Sequence, residues 1–121
     1  MSPEAVVDAM IAALERKDLT EAVTYMAPDI EYDNVPMGNV HGHAEVAAAL
    51  KPFFARCDGV RWEIQHQVAA GDVVMNERVD CFQFGDRWAE IAVAGLFVVR
   101  DGRVSLWRDY FDLTAAQAAL S

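Results

Sequence analysis

Apolar residues recur at helical spacing in the first half of the chain and form long strand-like runs in the second half. Ser2 and Pro3 are typical of a helix start, and the apolar residues that follow them fit one helix face. Beyond this first helix the pattern predicts a short second helix that ends before Pro28, a strand at residues 30–35, a loop at residues 37–42, and a third helix at residues 43–55 that is kinked at Pro52.

The second half predicts four consecutive long strands, at residues 60–70, 73–84, 88–100 and 103–112. The dipeptides between them are typical of tight hairpin turns: Gly71-Asp72, Gly85-Asp86 and Asp101-Gly102. Residues 114–117 fit a capping box that would begin a short last helix. Helices followed by an antiparallel meander predict an α+β fold, with one sheet strongly curved around the N-terminal helices, in a single domain spanning residues 1–121.

The composition predicts apolar surface in excess of what one core needs. Hydrophobic residues make up 54% of the 121 residues, although 24% are charged. Such a chain is expected to use the excess for a cavity or a subunit interface. Because a meander also leaves an outer sheet face that needs cover, we expect a homodimer.

The charge balance narrows the possible partners. Ten basic and nineteen acidic residues give a net charge of −9, which disfavours nucleic acid, anionic membranes and anionic substrates. A small, neutral, apolar ligand is expected instead.

Cys57 and Cys81 lack a short C-x-x-C spacing and are read as free thiols. The N-terminus lacks the basic region of a signal peptide, and no apolar run reaches the ~20 residues of a membrane span. We therefore expect a cytoplasmic protein.

Residues two apart on a strand share a face, and three pairs of chemically useful residues obey this spacing. The pairs are Tyr32 with Asn34, Arg78 with Asp80, and Trp107 with Asp109. Each pair alone has an ordinary explanation, since such an ion pair often lies on a solvated face and such aromatic residues are often core. Their occurrence together, in strands otherwise rich in apolar residues, indicates a site.

Three segments carry a resemblance to a known family. They are Tyr32-Asp33-Asn34-Val35-Pro36, Asn76-Glu77-Arg78-Val79-Asp80 and Trp107-Arg108-Asp109-Tyr110-Phe111-Asp112. In content, order and approximate spacing they resemble the limonene-1,2-epoxide hydrolase family, and residues 95–102 lie where that family has a similar hairpin. The resemblance implies the cone-shaped fold of nuclear transport factor 2 and the SnoaL-like cyclases, with a mixed, mainly antiparallel sheet and dimerisation through that sheet.

The resemblance also implies a role for each site residue. Asp109 takes the position of the general base, Asp80 that of the general acid, and Arg78 that of the bridge between them. Tyr32 and Asn34 match residues that help the base to hold the attacking water. Apolar residues near these segments are core or pocket wall, and the sequence does not separate the two: Phe53, Phe54, Leu96, Phe97 and Phe111. Of these, Leu96 and Phe111 are predicted, together with Trp107, to contact the substrate.

These residue types suit the opening of an epoxide by water. The reaction needs a proton for the leaving oxygen and a deprotonated base for the water, which one protonated and one ionised carboxyl supply together. Two carboxyls in an apolar pocket tend to hold one proton between them, and an arginine makes the second charge tolerable. No cofactor and no metal are expected, because His41 and His43 lack an evident third ligand and the cysteines lack an activating partner.

Two other functions stay open from the sequence. One is an isomerase, cyclase or dehydratase of the same fold, acting on a steroid-like or polyketide substrate. The other is a non-catalytic ligand-binding or dimerisation module, for which the five candidate residues would be scattered or solvent-facing. The chain also begins almost at its first helix, whereas limonene-type members carry a longer N-terminal segment near the pocket. The size and closure of the pocket therefore do not follow from the resemblance.

Overall fold

The computed structural model describes residues 1–121 and contains helices and one sheet. The α-helices are α1 (Pro3–Glu15), α2 (Leu19–Ala22), α3 (Gly42–Arg56) and α4 (Leu113–Leu120), and a 3-10 turn, Val23–Tyr25, follows α2. The strands are β1 (Met26–Asn34), β2 (Gly38–His41), β3 (Gly59–Ala70), β4 (Val73–Phe84), β5 (Arg87–Arg100) and β6 (Arg103–Tyr110). None of the helices is long and apolar enough to cross a membrane.

The six strands form one mixed sheet in the order β2-β1-β6-β5-β4-β3. Only β1 and β6 run parallel, and the other neighbours are antiparallel. Register shifts interrupt the pairing within β1, β3 and β6, and such bulges bend a sheet and increase its twist. The predicted α+β fold with a curved, mainly antiparallel sheet is confirmed.

The three hairpins form where the turn residues predicted them. Gly71 and Gly85 have positive φ angles of 58° and 63°, and Asp101 and Gly102 both adopt positive φ. A two-residue turn with positive φ at both positions, as at Asp101-Gly102, or at its first position, as at Gly71 and Gly85, has the backbone twist that matches the flanking strands. These turns fix the register of β3 to β6, and therefore decide which side chains of the meander share a face.

The helices cover the inner face of the sheet. Ser2 caps α1, and its side chain accepts a hydrogen bond from the backbone N–H of Ala5. The apolar face of α1 then packs mainly against β3 and β5, where it joins a cluster of 25 buried residues from nearly every element. The core thus lies between the helices and the concave side of the sheet, on the face that also carries the candidate site.

Three local expectations were wrong. Residues 37–42 contain the short edge strand β2 rather than a loop, because the extended backbone pairs with β1. The strand β1 begins at Met26 and includes Pro28, which a central strand would not tolerate but which falls in the stretch where the pairing of β1 is irregular. The last helix is capped by Asp112, whose side chain accepts from the Ala115 N–H, and not by a box at residues 114–117.

Candidate active site

Three neighbouring strands bring the charged candidates together. Arg78 and Asp80 lie on β4, and Asp109 lies on β6, with β5 between them. On β5, Gly95 pairs with Asp109 on one side and with Asn76 on the other, and it has no side chain to separate the strands' charged groups. The three charged side chains are almost completely buried, so their interactions take place in a medium of low dielectric constant.

Arg78 bridges the two carboxyls through its fork of donors. Its Nε and Nη2 donate to Asp80 Oδ1 and Oδ2, both at 3.0 Å, and Nη2 also donates to Asp109 Oδ2 at 3.1 Å. Asp109 Oδ1 is buried and accepts no hydrogen bond from the protein. Asp80 is therefore held through both oxygens, whereas Asp109 keeps one oxygen free for a further donor.

Tyr32 and Asn34 lie on β1, the strand next to that of Asp109. On β1, Asn34 is paired with Asp109 and Tyr32 with Trp107 of the parallel strand β6. The side-chain amide of Asn34 donates to the Tyr32 hydroxyl at 3.0 Å, and the Tyr32 ring stacks on the Trp107 ring with centroids 4.0 Å apart. The five candidates from the sequence thus form one contiguous group.

Burial and the shared arginine shift the proton affinities of this group. Burial raises the pKa of Asp80 to about 6, although Arg78 opposes the rise. Burial also raises the pKa of Asp109, against Arg78 and against the indole N–H of Trp107, which lies near this carboxyl but outside hydrogen-bond geometry. Two ionised carboxyls and one guanidinium carry one net negative charge, which a single added proton neutralises. The pair therefore titrates as a unit that retains one proton more readily than ordinary aspartates do.

The carboxyls open into a cavity of about 460 Å³ in which 14 of the 19 lining residues are hydrophobic. Tyr32, Asn34, Asp80 and Asp109 line it from the sheet, and Gln117 and Ser121 are its other polar lining residues. Phe111 lines the cavity as expected. An apolar cavity with a few converging polar groups is the usual form of a site for a small molecule.

Two predicted substrate-binding residues do not line this cavity. Leu96 lies on the opposite face of the sheet, because it alternates with the buried Gly95 and Phe97 and pairs with the exposed Met75. Trp107 is fully buried and lies behind Tyr32, between that ring and Phe97. Trp107 therefore supports Tyr32 from the core instead of contacting a ligand.

The sequence reading missed part of the cavity wall. Trp62 and Phe82 line the cavity, and their positions carried a usable signal, since Phe82 shares the parity of Asp80 and Trp62 pairs directly with Asp80. The helix α4 also contributes a wall, through Leu113, Gln117 and Leu120. No local pattern could have placed α4 there, because its position depends on where β6 ends.

The histidines and the two cysteines do not belong to this group of site residues. The His43 ring lies 2.9 Å from the Met26 carbonyl oxygen, and no group of three or more His, Cys, Asp or Glu side chains is arranged to hold a metal ion. Cys57 and Cys81 are both free and buried, and burial raises the pKa of each thiol. His66 lies on the exposed face of β3.

Comparisons with known proteins find relatives of this chain among epoxide hydrolases. The sequence model of the limonene-1,2-epoxide hydrolase catalytic domain matches residues 1–120. The chain is 34% identical to epoxide hydrolase EphG of Mycobacterium tuberculosis over 109 residues, which is 88% of this chain and 71% of that protein. It is 32% identical to the solved limonene-type epoxide hydrolase of M. tuberculosis, with a TM-score of 0.84 over 96% of this chain and 86% of that one.

The fold is shared more widely than the sequence. A SnoaL-like protein from Shewanella putrefaciens superimposes with a TM-score of 0.87 over 99% of this chain and 86% of its own, at 15% identity. At that identity the likeness shows the fold alone. The match to the catalytic domain covers nearly the whole sequence, and the chain belongs to the limonene-1,2-epoxide hydrolase family of epoxide hydrolases.

Proposed function

We propose that this chain adds water to a small, neutral, apolar epoxide in one step and without a cofactor, giving a vicinal diol. The observation that carries the proposal is a difference in hydrogen bonding: both oxygens of Asp80 accept hydrogen bonds from Arg78, but only one oxygen of Asp109 does. Asp109 lines the cavity and its buried Oδ1 has no hydrogen-bond partner in the protein, while its Oδ2 is tied through Arg78 to Asp80. One carboxyl is thus free to accept a proton from water, and the other is held so that it can give one up.

Asp109 acts as the general base. Because the buried Oδ1 has no partner in the protein, it is the oxygen that would accept a hydrogen bond from the attacking water once the carboxylate opens to the cavity, and Tyr32 and Asn34 offer the further partners that a held water needs. Burial raises the pKa of Tyr32, so the phenol stays protonated and serves as a neutral hydrogen-bonding group. When the water oxygen attacks an epoxide carbon, Asp109 takes the proton that this oxygen loses.

Asp80 acts as the general acid. Its raised pKa lets it carry a proton in the buried site, and the proton passes to the epoxide oxygen as the carbon–oxygen bond breaks. The carboxylate that remains accepts two hydrogen bonds from Arg78. Arg78 therefore stabilises the form of Asp80 that the reaction produces, which favours proton transfer in the forward direction. The step ends with one proton on the pair, now on Asp109.

The cavity supports the proposed substrate class. Its wall is mainly hydrophobic and includes several aromatic rings, among them Phe53, Trp62, Phe82 and Phe111. Such a wall binds a hydrocarbon ring by burial and by edge or face contacts. A negatively charged substrate would be repelled by the net charge of −9 and by the two aspartates.

A homodimer and a cytoplasmic location complete the proposal. Neighbouring strands place apolar side chains side by side on the convex outer face of the sheet: Val73, Met75, Leu96, Val98 and Leu106. We define these five residues as the outer apolar face, and a second copy packed on it would remove it from water. The free state of both cysteines supports a reducing compartment.

The test is a panel of cyclic and styrene-type epoxides assayed for diol formation. We expect diol from at least one apolar epoxide, and we expect Asp109→Asn to remove most of the activity, by roughly 10²–10⁴-fold for a positioned base. Asp86→Asn, in an exposed hairpin turn, is the matched control and should behave as wild type. Equal activity in Asp109→Asn, or isomerisation of a steroid ketone with no diol from any epoxide, would reject the proposal.

A further inference from the structure

The edge of the Arg78 guanidinium that faces away from the aspartates is also bound. Its Nη1 donates to the side-chain oxygen of Asn76 at 2.9 Å. A guanidinium only donates hydrogen bonds, so the Asn76 amide must present its oxygen to Arg78 and its NH₂ elsewhere. That NH₂ donates to Gln67 Oε1 at 3.1 Å, and Gln67 Nε2 donates to Asp8 Oδ1 at 3.0 Å. A chain of amides in one orientation therefore runs from the buried cation to a carboxylate on α1.

The guanidinium occupies space that only glycine leaves open. A Cβ added at Gly95 would lie 2.4 Å from Arg78 Nη1 and 2.9 Å from Asn76 Oδ1, both well inside van der Waals contact. Gly95 has no positive φ angle, so its backbone conformation is open to any residue. The strand thus requires glycine at this position for space and not for backbone conformation.

Aromatic rings restrict the remaining movement of the cation. The Arg78 guanidinium carbon lies 5.2 Å from the Trp62 ring centroid and 5.9 Å from that of Phe97. Such contacts favour a cation electrostatically and limit its sideways displacement. Asn76 binds one edge of the guanidinium and the aspartates bind the other, so hydrogen bonds restrict its position at both edges.

We propose that Asn76 and Gly95 are positioning residues for the hydrolysis, acting through Arg78, an inference that rests on the proposed function. Neither residue lines the cavity, so neither touches the substrate. Gly95 allows the guanidinium to lie flat across β5, and Asn76 holds its outer edge. Together they fix the Nη2 nitrogen where it reaches Asp80 and Asp109 at once. Gln67 in turn orients Asn76.

A Gly95→Ala substitution separates this role from a general effect on folding. Alanine fits an ordinary strand backbone, and the atom it meets first is the end of a long side chain, so the fold can survive while Arg78 moves. A displacement of about 1 Å at a catalytic group is enough to lower kcat by about 100-fold. KM should change little, because the cavity wall is unaltered. Asn76→Ala should act in the same direction, since it releases the same guanidinium.

The matched control is Gly59→Ala. A Cβ at Gly59 would also meet the end of a flexible side chain, Gln83 Oε1 at 2.6 Å, and Gly59 likewise has no positive φ angle. We expect Gly59→Ala to keep the wild-type kcat. In Gly95→Ala and Asn76→Ala, the high-pH limb of the kcat profile should move to higher pH, because a displaced Arg78 lowers the pKa of Asp80 less effectively. A merely structural loss would leave that limb in place.

A second measurement is independent of activity. In the wild type, the Nε–H of Arg78 is buried and bonded to Asp80, and it should give a slowly exchanging NMR signal that Gly59→Ala retains. We expect Gly95→Ala and Asn76→Ala to shift or lose this signal while thermal melts still show a folded protein. An unchanged signal in Gly95→Ala, or a kcat equal to that of Gly59→Ala, overturns the positioning role. If the wild type opened no epoxide, the proposed function alone would fail, and the NMR signal would still decide the role of Asn76 and Gly95.

Discussion

Asp80 and Asp109 are joined by a single nitrogen atom, Nη2 of Arg78, which donates to an oxygen of each carboxyl. The two carboxyls come from strands that are not neighbours in the sheet, and the bridge forms across β5 at the one position that lacks a side chain. Because both carboxyls share one donor, a proton on either of them changes the charge that the other faces. The pair should therefore be treated as one titrating unit in any measurement.

The pH dependence of kcat follows from the acid role of Asp80. An acid works only while it is protonated, and burial raises the pKa of Asp80 to about 6. We expect kcat to fall as the pH rises through this region, with a slope of one proton. Steady-state kinetics at saturating substrate measure this. A rate that rises through the same pH range would show that Asp80 acts as an ionised group.

Asp80→Asn and Asp109→Asn should each lower kcat by roughly 10²–10⁴-fold, because each removes one half of a single proton-transfer step. The double variant should be little worse than either single one, since groups that act as a unit give strongly non-additive effects. Single-turnover rates for all three variants give the comparison. Losses that multiply in the double variant would contradict a concerted use of the two carboxyls.

The stability of the protein should depend on pH in the same direction as kcat. The pKa of Asp80 is raised in the fold from 3.8 to about 6, so the stability gained from its proton is fully present below about pH 4 and is lost as the pH rises through about 6. Asp80→Asn removes this loss. We expect its free energy of unfolding relative to wild type to increase between pH 4 and pH 7, measured by urea denaturation. A difference that does not vary with pH would argue against a raised pKa.

Removal of the arginine should lower the free energy of unfolding more than removal of either aspartate does. Arg78→Met leaves two buried carboxyls without their cation, and breaking a buried ion pair in this way costs about 3–5 kcal/mol. The Asp variants instead leave Arg78 with one charged partner. Urea denaturation at neutral pH compares them. A variant Arg78→Met as stable as wild type would show that the cluster contributes to catalysis without contributing to the fold.

The dimer proposal has its own test. Met75 on the outer apolar face is half exposed in the single chain, so Met75→Glu should leave the fold of one subunit intact. In a two-fold dimer the substitution appears on both sides of the interface, and we expect it to give monomers. Ala118→Glu, on the exposed side of α4, is the control and should stay dimeric. Light scattering at micromolar concentration decides, and a monomeric wild type would contradict the proposal.

Much of the fold could be predicted from the sequence, because hairpin turns and strand alternation act over short distances. The turns at Gly71, Gly85 and Asp101-Gly102 fixed β3 to β6 almost residue by residue. The short strand β2 was missed, since four residues of mixed polarity at a sheet edge carry no period of their own. Its pairing with β1 becomes visible only in three dimensions.

The candidate site shows the same division. The parity of each pair placed Arg78 beside Asp80 correctly, but parity gave no information for Leu96, because apolar residues occupy both faces of β5 at that point. Gly95 carried no chemical signal at all. Its importance comes from the guanidinium that crosses it, and that contact joins residues far apart in the sequence.

In the proposed reaction, water attacks the epoxide directly, with Asp109 as base. A single turnover with excess enzyme in ¹⁸O-labelled water tests this, because in a covalent route the first product would keep an unlabelled carboxylate oxygen, and water would place its label on the aspartate. We expect labelled diol in the first turnover, with the label in the newly added hydroxyl. Unlabelled diol in that first turnover would mean that an aspartate attacks the epoxide, and the assignment of Asp109 as a base would be wrong.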